Sequence, residues 1–126
     1  MGSAKKKKND NILESIFCGL EGLFYAIKKE RHIQIGLLFT LVLIIMGFIF
    51  QITLVEWMIS LLCVLIVLAL ELVNTALEVT VDIAMPNIHP LAKIAKDVMA
   101  GSVILSLIIS SIIGLIIFLP RIIALF

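Results

Sequence analysis

Two stretches, Ile33–Val55 and Val98–Pro120, each run about 23 residues without a charge. As α-helix each spans roughly 34 Å, enough to cross a hydrocarbon core of about 30 Å. A chain with two such runs in 126 residues cannot bury them in a water-soluble core. The composition agrees: 62% of residues are hydrophobic, 15% are charged and the mean hydropathy is +1.22, against roughly 45–50% apolar and about 25% charged in soluble domains. An all-α membrane protein of one domain is therefore expected.

Between the two runs lies a third that is not clean. Only about 14 uncharged residues separate Glu56 from Glu71, or roughly 21 Å of helix, too little to span. The residues beyond Glu71 stay apolar except for Asn74, Glu78 and Asp82. At about 100° per residue these four fall within an arc of roughly 80°. The second span is therefore expected to continue past Glu71, with Glu71 inside the bilayer, Glu78 at its edge and Asp82 beyond. A carboxylate at membrane depth costs about 2.5–3.5 kcal/mol even on the lenient insertion scale. Three on one stripe are expensive for mere helix glue, so metal binding or catalysis is the leading expectation.

The remaining organisation follows from periodicity and charge. Residues 1–10 read as a disordered basic tail that begins with a probable cloning scar, MGSA. A surface helix is expected over 11–30, since Ile12, Leu13, Ile16, Phe17, Leu20, Leu23, Phe24 and Ile27 share one face and Glu14, Glu21 and Lys28 the other. Asp10 or Asn11 is placed to cap it. Ser15, Gly19, Gly22 and Ala26 add a stripe of small residues, suited to helix packing or to leaving room for a ligand near Glu30. Spans are expected over about 32–55, 57–84 and 95–120, within a single membrane domain over 11–126. The stretch FQITLVEW reads as a far-side turn with Glu56 in water and Trp57 in the interfacial belt. MPNIHPLAKIAKD reads as a loop broken by Pro86 and Pro90. Nine of the ten basic residues precede the first span or lie between the second and third. The N-terminus and the carboxylate stripe should therefore face the cytoplasm, and the C-terminus the outside. Cys18 and Cys63 read as reduced packing residues.

Carboxylates suit hard cations, and a Mg2+ site needs only one or two of them when nucleotide phosphates and water complete the octahedron. Glu78 is one candidate; Glu30, which ends the surface helix at a similar depth, is another. Glu71 lies deeper, is desolvated, and is a candidate general base. Asn74 lies between Glu71 and Glu78 and is placed to orient a hydroxyl. Lys96 and Asp97 add a phosphate-binding cation and a polar acceptor. There is no Gly-rich nucleotide loop, and His32 and His89 are isolated and not spaced as metal ligands. A small ion or proton transporter subunit is the competing class, but the second span offers only Ser60 and Cys63 between Trp57 and Glu71, too little for a polar path.

ELVNTALEVTVD followed by HPLAKIAKD resembles the signature of the small bacterial diacylglycerol kinase family of lipid kinases, and EGLFYAIKKER resembles that family's surface helix. The likeness covers nearly the whole chain from about Asn11. The NTA and HPLAK wording is closer to the Gram-positive branch, whose preferred substrate is undecaprenol, than to the Gram-negative enzymes that make phosphatidic acid from diacylglycerol. The resemblance implies a surface helix plus three transmembrane helices, a homotrimer with shared active sites, and ATP- and Mg2+-dependent phosphorylation of a lipid alcohol in the bacterial plasma membrane. It implies Glu71 as general base with Asn74 positioning the substrate, and Glu30 and Glu78 as metal ligands. Glu30, Glu78, Asp82, Lys96 and Asp97 would bind the nucleotide. The pattern breaks after Glu30: Gln34 and Gly36 stand where Gram-positive members often carry Arg and His. Glu21 stands where Gram-negative relatives carry a basic residue.

Overall fold

The computed structural model of the protein describes residues 11–126, so the expectation for the tail falls on residues outside those described. Four helices follow in order: α1 (Ile12–Lys29), α2 (Arg31–Ile49), α3 (Leu54–Ala84) and α4 (Pro90–Ile123). Among the described residues there is no strand. Three of the helices, α2 to α4, are long and apolar enough to cross a membrane. Their outward residues, such as Leu38, Phe39, Leu62, Leu65, Ile108 and Ile116, are exposed, as lipid-facing positions should be.

The first membrane helix stops earlier than expected, at Ile49 rather than Val55. The Ile52 N–H reaches back to the Gly47 carbonyl (3.2 Å) and the Gln51 N–H to Phe48 (3.4 Å), the pair of bonds that closes a helix in a Schellman motif. Gln51 takes the left-handed position (φ 48°) that glycine usually fills, so no glycine advertised the stop. The turn is also shorter than FQITLVEW. Thr53 caps α3, its Oγ1 accepting the Glu56 N–H at 3.2 Å, and Leu54 is already helical. Ile52, carried inward by the closure, packs with Ile117 and Phe118 in a small core ringed by Trp57, Phe50 and Met46.

Glu56 does not face open water. Its carboxylate pairs with Arg121, 2.7 Å from Nη1 to Oε2 and 3.0 Å from Nη2 to Oε1. This pair ties the start of α3 to the end of α4. Arg121 Nη1 also donates to the Ile117 carbonyl (2.7 Å).

The α3–α4 loop is shorter than expected as well. Met85–His89 connects the helices, and HPLAKIAKD is the start of α4 rather than a loop. Pro90 breaks nothing there: it opens the helix, where its missing N–H is not needed. His89 is the cap, its Nδ1 accepting the Leu91 N–H at 3.1 Å. α4 also runs past Pro120 to Ile123. Asn11 occupies the cap position of α1 but makes no side-chain capping bond; Asp10 lies outside the described residues.

Two glycines set how α2 meets α3. A Cβ on Gly47 would lie 2.5 Å from the Trp57 ring, and one on Gly36 2.7 Å from Leu68 Cδ2. Eleven residues separate the glycines and eleven separate their partners, so the antiparallel register is constant along the pair. That register sets Glu30 level with Asn74, and His32 next to Glu71. Gly47→Ala should lower the melting temperature in detergent by several degrees, the effect of roughly 1–3 kcal/mol of overpacking against a rigid ring. Gly36→Ala should lower it less, because the end of the Leu68 side chain can rotate away. Equal and negligible shifts for both would contradict the close contact.

Candidate active site

α3 presents the stripe because Glu71, Asn74, Glu78 and Asp82 recur at helical spacing without a break in the helix. Thr75 is adjacent but occupied: its hydroxyl donates to the Glu71 carbonyl at 3.1 Å. Glu71 and Asn74 are half-buried, whereas Glu78 and Asp82 are exposed. Along the α3 axis the half-buried pair thus precedes the exposed pair.

Glu30 joins this group from the elbow between α1 and α2. Continued to the elbow, the α2–α3 register puts Glu30 level with Asn74. His32 stands on the first turn of α2.

The second part of the site lies one turn further on. Lys96 reaches Asp82 across the α3–α4 interface at 2.5 Å, and it also feels the charge of Glu78. Asp97 holds Lys93 at 2.5 Å within α4, a partner the sequence reading passed over. Asp82, Lys96, Asp97, Lys93 and the His89 loop line a cleft of about 310 Å³. A separate groove of about 690 Å³ opens between α1 and α3, walled by Gly19, Gly22 and Ala26 on one side and Leu72, Ala76 and Val79 on the other. Gly19 and Gly22 therefore leave space rather than close packing, whereas Ala26 is buried.

Among the described residues, no three His, Cys, Asp or Glu side chains gather into a self-sufficient metal centre. Mg2+ does not ask for one: it takes one or two carboxylates together with phosphates and water. Glu30 and Glu78 are hard oxygen donors of that kind. Asn74 Oδ1, one turn from Glu78 on α3, is buried with no hydrogen-bond donor, an acceptor whose desolvation calls for a hydroxyl or cation guest. The donor set fits a hard divalent ion carried in with a nucleotide.

Comparison with known proteins agrees. Residues 17–118 match the family model described as prokaryotic diacylglycerol kinase. A relative named undecaprenol kinase, from Bacillus subtilis, is 43% identical over 79% of this chain and 81% of its own. A diacylglycerol kinase from Synechocystis is 34% identical over 91% of this chain and 66% of its own. Another from Haemophilus influenzae is 33% identical over 82% and 87%.

The two α3–α4 ion pairs should contribute unequally to stability. The Lys96 and Asp82 side chains are 36% and 65% exposed, those of Arg121 and Glu56 only 29% and 23%. Asp82→Asn should leave the melting temperature nearly unchanged, since water competes for an exposed pair. Glu56→Gln should lower it by several degrees, because Arg121 is left half-buried without its counter-charge. Thermal unfolding followed by circular dichroism in detergent reads both; the reverse order would contradict the assignment.

Proposed function

The chain belongs to the prokaryotic diacylglycerol kinase family, and on that premise we propose that it moves the γ-phosphate of ATP, with Mg2+, onto the hydroxyl of a membrane lipid, preferentially undecaprenol. The observation that supports this is the polar face of α3, where Glu71, Asn74 and Glu78 recur at helical spacing and the Asn74 Oδ1 is buried without a hydrogen-bond partner. The likeness to an undecaprenol kinase at 43% identity supports that lipid over diacylglycerol, the alternative acceptor.

Each residue then has a separable task. Glu71 lies deepest, where the hydroxyl of a lipid in the bilayer reaches, and takes the hydroxyl proton. Asn74 orients that hydroxyl. The lipid oxygen forms a bond to the γ-phosphorus as the bond to the leaving oxygen of ADP breaks. Glu30 and Glu78 would hold the Mg2+, which would supply charge neutralisation on the phosphates. Asp82, Lys96 and Asp97 line the nucleotide cleft, and Lys96 is free to exchange Asp82 for a phosphate because their pair is exposed. The α1–α3 groove gives the lipid a lateral entry. Positioning and charge neutralisation carry most of phosphoryl transfer, so no covalent intermediate is needed.

The same reading takes residues 11–126 as one membrane kinase domain. α1 lies along the cytoplasmic surface, its apolar face toward lipid and Glu14, Glu21 and Lys28 toward water. The basic residues around Glu30, with Lys93 and Lys96 at the start of α4, keep the site on the cytoplasmic side, where ATP is found. Three copies complete shared sites. An ion-conducting role is disfavoured, because the polar stripe stops at Glu71.

Glu71→Gln should reduce lipid phosphorylation about 10²–10⁴-fold, the usual contribution of a general base, while the protein still inserts and assembles. Transfer of label from γ-labelled ATP to lipid in mixed micelles measures this. Undiminished transfer by the variant would overturn the role given to Glu71.

A further inference from the structure

We propose that Gln34, which departs from the pattern of related chains, is a positioning residue for Glu30: its side-chain amide locks the elbow between α1 and α2. The inference rests on the role given to Glu30 above, but its geometry stands by itself. A single residue, Glu30, leaves helical conformation between the two helices (φ −98°, ψ 111°). Rotation about that one residue swings α1 relative to α2 and carries the Glu30 carboxylate with it.

The end of α1 leaves carbonyls without helical partners. The Glu30 N–H takes one, donating to Ala26 at 2.8 Å. The Gln34 Nε2 takes the next two, donating to Ile27 at 2.9 Å and Lys28 at 3.2 Å. Two amide protons meet two acceptors, which uses the donor capacity of the group completely. These bonds start on α2 and end on α1, so they span the hinge rather than stiffen either helix. The backbone N–H of Gln34 meanwhile donates to the Glu30 carbonyl at 3.2 Å. Glu30 is thus bonded forward and backward, and Gln34 closes the bracket around it. Ala26 and Ile33, one turn to either side, are 4% and 3% exposed, so the elbow is packed as well as bonded. Only a long side chain with donors can serve here. Arg has both the length and the donors; Met has the length alone.

The test compares Gln34→Met and Gln34→Arg with the unaltered protein in two measurements. Hydrogen exchange reads the amides of residues 29–34. Mn2+ affinity in the presence of a non-hydrolysable ATP analogue, read by the paramagnetic resonance of free Mn2+, reports on the metal site without turnover. Gln34→Met should speed exchange at the elbow about tenfold, the loss of a bonded cap. It should weaken Mn2+ binding about tenfold, as loss of support behind a metal ligand does. Gln34→Arg should restore both. Unchanged exchange in Gln34→Met overturns the lock. Faster exchange with unchanged Mn2+ affinity overturns the positioning of Glu30. An arginine variant that behaves like the methionine one overturns it also, and keeps the question decidable if Gln34→Met does not fold. Failure of the kinase reading would show separately, as absence of lipid phosphorylation by the unaltered protein.

Discussion

Placing the Glu71 carboxylate among lipid-facing helices costs about 2.5–3.5 kcal/mol on the insertion scale, and the other elements are arranged around that cost. α3 must extend well past the length a bilayer needs, because part of it carries the stripe. Its 31 residues make roughly 46 Å of helix, the surplus lying on the side of Glu78 and Asp82. α2 must be shorter, so that the chain can turn at Glu30 and bring α1 to the level of the stripe. Its 19 residues match a hydrocarbon core of about 30 Å. The difference between these two helices is what exposes the site at one end of the bundle.

Rigidity is distributed to match. The end remote from the stripe holds the small core of Ile52, Ile117 and Phe118, the contact of Gly47 with Trp57 and the half-buried Glu56–Arg121 pair. The end that carries Glu78, Asp82 and Lys96 has exposed ion pairs and open grooves. One end fixes the register of the three long helices, and the other is left open. The elbow at Glu30 is the exception, a bonded joint within the open end.

Much of this was legible in the residues, for physical reasons. Hydrophobic run length and the 100° spacing of four polar residues are strong signals, so the three long helices and the order of the stripe could be read directly. What escaped were features set by single bonds. The stop of α2 hid because Gln51, not glycine, adopts the left-handed turn. Pro90 looked like a helix breaker because a proline opening a helix and one ending it look alike in sequence. Glu56 looked solvated because its partner, Arg121, is 65 residues away. Gln34 looked like a missing arginine, whereas its amide is occupied by two backbone carbonyls of α1. Long-range partners are what a single chain of letters conceals best.

The central claim, that the carboxylates of three elements serve phosphoryl transfer to a lipid alcohol and that undecaprenol is the preferred one, has a direct measurement. Undecaprenol and diacylglycerol are offered together in the same micelles with γ-labelled ATP and Mg2+, and the two phosphorylated lipids are separated and counted. The account predicts label mainly in undecaprenyl phosphate. Label mainly in phosphatidic acid, or in neither lipid, would contradict it.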